Sequence, residues 1–152
     1  MLSDLLEQKA KSLGDLPAYI FLKSDESELK RLSFSELRDL ARAYGAPLQL
    51  QIPRGEHVLL ILPEEHIFLP VLWACFYAGV VAVPTPVIDV NSSARLVPRL
   101  KTILADANSY FILTVKEVRD AMLAQMGEKN REGIRWILID ELLSRFKITC
   151  EI

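Results

Sequence analysis

The sequence predicts an α/β fold: a doubly wound, mostly parallel sheet with flanking helices and an N-terminal hairpin. Three observations carry that prediction. Four short runs rich in apolar and β-branched residues, at 57–62, 80–83, 110–113 and 134–139, have strand length and composition. Between each pair lies a stretch long enough for a helix, which spells β-α-β-α-β-α-β. The right-handed rule for crossovers then makes the sheet parallel, with helices on both faces. The third observation is the segment 57–86, apolar almost throughout, as a strand and helix covered on most sides should be.

The elements follow in order. Leu2, Leu5, Leu6, Ala10 and Leu13 recur at helical spacing, and Gly14 and Pro17 close that amphipathic helix. Residues 18–22 and 29–32 are strand candidates joined by the polar turn 23–27, hence a hairpin. Ser33 followed by Glu36 is a capping box. Phe34, Leu37, Leu40, Ala41 and Tyr44 form the buried stripe of the next helix, which Gly45 is expected to end. With Pro47, Pro53 and Gly55, residues 46–56 read as a connecting loop.

Residues 57–62 are then the first sheet strand, stopped by Pro63, and Glu64 and Glu65 suit the positive end of a helix. That helix reaches about Ala78. Gly79 supplies the left-handed cap, and residues 80–83 form a strand ended by Pro84. No charge falls between Ile67 and Ile88, so a membrane span has to be weighed. Pro70, Gly79, Pro84 and Pro86 cut the run too short, and Arg54 and Arg95 mark no positive-inside asymmetry. No membrane span is expected.

After a linker at 87–93, with Ser92 or Ser93 as N-cap, Leu96, Leu100, Ile103, Leu104 and Ala107 mark a helix that Pro98 kinks or begins. Residues 110–113 are the next strand, Thr114 is expected to cap a helix running to about Met126, and 127–133 form a polar turn. Residues 134–139 are the last strand, and Leu142, Leu143 and Phe146 begin a final helix.

At 152 residues the chain is one domain by size, with no second domain expected. A net charge of −2 gives no reason to expect nucleic acid. Cys75 and Cys150 stand far apart, with neither disulfide-framework nor zinc spacing, and Asp4 and Glu7 interrupt any secretory leader. Both points suit a reducing cytoplasm.

In a parallel sheet, ligands bind beyond the carboxyl ends of the strands. The residues there are Pro63-Glu64-Glu65, Pro84-Thr85-Pro86, Thr114 and Asp140. Neither GxGxxG nor GxxxxGK[ST] occurs among the six scattered glycines. Glu64 and Glu65 with Asp140 could form a receiver-type metal site, but the middle strand offers Pro-Thr-Pro where a phosphoryl-accepting Asp is needed. Helix-terminus charge explains these acids better. His57 and His66 have no catalytic partners by motif, Arg95, Arg99 and Lys101 read as a solvated face, and Cys75 reads as a small buried hydrophobe. Trp73, Phe76 and Tyr77 suit either a pocket wall or core packing.

Several stretches taken together carry more than any one residue. Leu32-Ser33-Phe34-Ser35-Glu36-Leu37, Pro53-Arg54-Gly55-Glu56-His57 leading to Pro63, Phe76-Tyr77-Ala78-Gly79-Val80-Val81-Ala82-Val83-Pro84, Arg99 to Ala107 and Ile112-Leu113-Thr114 occur in that order. In that order they resemble the N-terminal part of the adenylate-forming (AMP-binding) superfamily, most of all its fatty acyl-AMP ligases. Pro70 and the Glu64-Glu65 pair depart from the family pattern.

The resemblance implies a partial domain of a larger enzyme. That parent would use ATP and Mg to turn a fatty acid into an acyl-adenylate for transfer to an acyl carrier protein. The family's phosphate loop, nucleotide contacts and catalytic lysine lie beyond the matched segment. The resemblance therefore carries no catalytic, cofactor-binding or metal-binding residue onto this chain, and the chain alone is expected to be inactive. At most Pro84, Thr85, Pro86 and Val87 are expected to border the acyl or pantetheine channel. The alternative, of another class, is a stand-alone non-enzymatic domain that binds lipid or a carrier protein.

Overall fold

The computed structural model describes residues 1–87 and 89–149, with the side chains of 145–149 left aside. The expectations for Cys150 and for the Phe146 side chain fall outside the described residues.

Strands β3 (His57–Ile61), β4 (Val81–Pro84), β5 (Phe111–Thr114) and β6 (Arg135–Leu138) form one parallel sheet in the order β4-β3-β5-β6. The chain winds outward from β3 to β4, then crosses back over β3 to β5 and β6, so it is doubly wound. β3 and β5 are the two inner strands, and Val58, Leu59, Leu60 and Ile61 of β3 are fully buried. Strand periodicity sends Val58 and Leu60 to one face and Leu59 and Ile61 to the other. The first face packs with α2 (Phe34–Gln51), α3 (Glu65–Ala78) and the start of α8 (Ile139–Thr149). The second packs with α5 (Leu100–Asp106) and α6 (Lys116–Gln125). Burial on both faces is the physical reason that these strands read as continuous apolar runs.

The N-terminal layer is α1 (Leu2–Leu13) and the antiparallel hairpin of β1 (Pro17–Leu22) and β2 (Glu28–Ser33). Leu6, Phe21, Leu32, Leu37 and Ala41 form its core against α2. The Ser33 and Glu36 box forms as expected: Glu36 N–H donates to Ser33 Oγ at 3.2 Å and Ser33 N–H to the Glu36 carboxylate at 2.8 Å.

Four expectations are corrected. Gly45 does not end α2, which continues through Pro47 to Gln51. Leu48 and Ile52, 0% and 1% exposed, are buried beside the sheet. At about 1.5–3 kcal/mol each, they offset the roughly 3 kcal/mol that an interior proline costs. A short helix not expected from the sequence, α4 (Val90–Ser93), comes first, capped by Asp89, whose carboxylate accepts the Ser92 N–H at 2.6 Å, and Ser93 stands at the N-cap of the segment after it without a side-chain cap bond. A 3₁₀ segment, Ala94–Arg99, carries Pro98, and the α-helix proper starts only at Leu100. The supposed turn at 127–133 holds one helical turn, α7 (Glu128–Arg131).

Among the described residues no helix is long and apolar enough to cross a membrane, α3 having 14 residues. Gly79 takes the left-handed conformation expected of it, φ 72°, and the N–H of Val80 donates to the Cys75 carbonyl at 3.1 Å.

Candidate functional site

The order of strands puts the topological switch between β3 and β5, where an open α/β sheet most often binds its ligand. Here that position is closed by the chain itself. Thr114, fully buried, does not cap α6; its hydroxyl donates to the Ile61 carbonyl across the gap at 2.6 Å. The first N–H of α6, on Lys116, donates instead to the Asp140 carboxylate at 2.9 Å. That carboxylate is thus committed to a helix N-terminus, and Glu64 sits 3.2 Å from His66 Nε2. Neither acid faces a shared metal position, and no group of three or more His, Cys, Asp or Glu that could hold a metal occurs among the described residues.

The open site lies one strand over. A cleft of about 360 Å³ is lined by Leu62 and Pro63 leaving β3, Glu65 and Phe68 on the first turns of α3, and Pro84, Thr85, Pro86 and Val87 leaving β4. Physical reasons place each wall. Pro63 stops β3 and tips the chain into α3. Pro84 occupies the last position of β4. Thr85 is pinned by two bonds to one acceptor: its N–H and its hydroxyl reach the Leu60 carbonyl at 3.1 and 2.8 Å. Val87 is buried in the core of the second face, anchoring the far end of the segment.

All four residues expected from the sequence at a channel border therefore sit together on this cleft. Phe68 was not anticipated, although its position three residues after Glu65 on one helix face was available as a signal.

The lining is largely apolar, and its one charged side chain is the acid Glu65. Glu65 thus puts a negative charge in the first turn of α3, and the Asp140 carboxylate occupies the N-terminus of α6. A carboxylate at a helix N-terminus takes the position that favours a phosphate and repels one electrostatically. The residues present do not fit a nucleotide triphosphate, and no step of nucleotide chemistry is assigned to them.

The remaining candidates lie elsewhere. Trp73, Phe76 and Tyr77 do not wall this cleft. The Trp73 indole N–H donates to Tyr19 Oη at 3.1 Å and its ring packs edge-on against Phe76. The Tyr77 hydroxyl donates to Glu7 at 2.6 Å, and Arg42 holds the same carboxylate through two nitrogens at 2.8 and 2.6 Å. Burial and the Glu7 bond both push the Tyr77 hydroxyl up in pKa, so it remains a donor. Burial likewise pushes the Cys75 thiol up to about 12, which makes it an inert packing group. Lys101 donates to the Lys129 carbonyl at 3.3 Å on the outer face.

Comparison with known proteins agrees with this architecture. The chain is 38% identical over 143 residues to a medium-chain fatty acid–[acyl-carrier-protein] ligase, JamA, of Moorena producens, a match covering 93% of this chain and 24% of that protein. Two solved structures share the fold. One is the McyG A-PCP protein complexed with phenylalanyl-adenylate, with TM-score 0.77 and 25% identity over 94% of this chain and 22% of that one. The other, from work on fatty acyl-adenylate ligases of E. coli and L. pneumophila, has TM-score 0.76 and 23% identity over 94% of this chain and 25% of that one. The chain thus spans about a quarter of the length of these relatives. With the AMP-binding enzyme family model matching residues 6–148 and the doubly wound sheet in place, the chain belongs to the AMP-binding enzyme family.

Proposed function

We propose that the chain is the amino-terminal part of the large domain of a longer fatty acyl-AMP ligase. That enzyme works in the cytoplasm, activates a fatty acid with ATP and Mg to an acyl-adenylate, and passes the acyl group to a carrier protein. The observation that carries the reading is the 38% identity, over 93% of the chain, to a fatty acid–[acyl-carrier-protein] ligase. Within the enzyme these residues are scaffold. They supply one α/β layer, and the groups that handle the nucleotide come from the rest of the polypeptide. Residues 1–152 by themselves are inactive.

In this reading Pro84, Thr85, Pro86 and Val87 border the channel for the acyl chain or the phosphopantetheine arm. The apolar walls Leu62, Phe68 and Val87 support it, since they gain from covering an alkyl chain, whereas the Glu65 charge disfavours a phosphate.

Pyrophosphate exchange with medium-chain fatty acids tests the proposal. Exchange by the whole protein and none by residues 1–152 is the expected pair of results. A gene that stops after Ile152, with a product that binds lipid or carrier protein without exchange, would favour the non-enzymatic alternative. Pro86→Trp in the whole protein should raise KM for the fatty acid several-fold while leaving KM for ATP unchanged. Equal KM values for the fatty acid would remove these residues from the channel.

A further inference from the structure

The N-terminal layer leaves a hollow of its own. Where α1 and β1 meet the first turn of α2 and the side of α3, a pocket of about 200 Å³ remains. It shares no residue with the cleft at the end of β4. Its inner wall is apolar: Leu6 and Leu37 are buried there, and Ala18 and Phe34, both half-buried, close the sides. Leu5 stands exposed at the rim. Such a lining gains from covering an alkyl group.

The polar groups left over at this pocket are donors. Lys9 is the one charged side chain in the lining, a helical turn beyond Leu5 and so on the same side of α1. Among the described residues it makes no ion pair. The acid nearest to it in sequence, Glu7, is held elsewhere by Arg42 and Tyr77. Tyr19 supplies the second donor. Its oxygen accepts the Trp73 indole N–H at 3.1 Å, and its own proton reaches no acceptor among the described residues. An ammonium and a phenol proton beside an apolar hollow suit an anion joined to a hydrocarbon, because both groups donate and no acid in the lining opposes it.

We propose that this pocket binds a small amphiphile, an alkyl carboxylate. Its chain lies against Leu6, Phe34 and Leu37, and its head is held by the Lys9 ammonium and the Tyr19 hydroxyl. A carboxylate fits better than a phosphate: the single lysine matches its single charge, and the two donors match its two oxygens. At roughly 30 Å³ for each group the size of a water molecule, the pocket takes a chain of about six carbons.

Photolabelling of the whole protein without ATP tests it. A six-carbon carboxylate carrying a diazirine should label segments 5–9, 18–19 or 34–37, and excess hexanoate should remove that label. Hexylamine and hexyl phosphate should compete at least ten-fold less well. Lys9→Met should cut this labelling several-fold while Lys9→Arg keeps it, and neither exposed substitution should move Tm. Ala18→Leu, which narrows the hollow from another element, should also cut it. Absence of label from all three segments would overturn the proposal, as would labelling unchanged by Lys9→Met or by Ala18→Leu. Competition by hexylamine or hexyl phosphate as strong as by hexanoate would overturn the carboxylate head. Label confined to 84–87 would sink this inference and leave the channel reading standing.

Discussion

Gly79 shows what one residue contributes. Its φ of 72° lies in the left-handed region, and the turn it makes carries the chain from α3 straight into β4. The Gly79 carbonyl accepts the Gly55 N–H at 2.8 Å, so the cap also ties down the loop that leads into β3. Gly79→Val should destabilise the protein by about 1–3 kcal/mol through backbone strain. The added Cβ would also stand 3.0 Å from Arg54 Cγ, a contact that the flexible arginine can relieve. A urea midpoint equal to that of wild type would contradict the cap. This residue was legible in advance because the need for a left-handed cap is local. Thr114 was not: its hydroxyl is taken by the Ile61 carbonyl, 53 positions away in the chain, and no local rule reveals that partner.

At the level of elements, the informative case is the pairing of α2 with α3. A glycine inside a helical pattern, followed two residues later by a proline, reads as a stop. Instead Gly45 is the point of closest approach. A Cβ there would meet the Ala74 carbonyl oxygen and Tyr77 Cβ, each at 3.1 Å. The Gln49 amide then donates to the Tyr77 carbonyl at 2.9 Å, beside the same contact. Gly45→Ala should therefore lower stability, even though alanine is favoured over glycine in a helix by about 1 kcal/mol. Backbone oxygen and Cβ atoms cannot swing aside as a side-chain tip can. Thermal melting checks the sign: a raised Tm would mean that the two helices can separate without loss. Periodicity located both helices, but the extent of α2 depended on which neighbour was available to bury Leu48 and Ile52.

Over the whole molecule, the Glu7 carboxylate joins three helices, holding Arg42 of α2 and Tyr77 of α3 from its place on α1. Arg42 is exposed and its pairing contributes little by itself. The partly buried Tyr77 hydroxyl loses more, about 1 kcal/mol, when left without an acceptor. Glu7→Ala should speed amide exchange across α1 and the hairpin while the amides of β3 and β5 keep their rates. A uniform change across both regions would show that the N-terminal layer and the sheet open as one unit. The sequence by itself determined the fold class, the four strands of the parallel sheet with the helices that link them, and the division of the apolar run 57–86 into strand, helix and strand. Those follow from periodicity, from proline and glycine chemistry and from charge, all of which act over a few residues. Only the tertiary structure decided that β3 and β5 lie between β4 and β6, that Thr114 bridges the switch point while Asp140 takes the N-terminus of α6, and that Phe68 joins the cleft. Each of these depends on which distant groups become neighbours, and long-range packing and hydrogen bonding settle that only once the chain has folded.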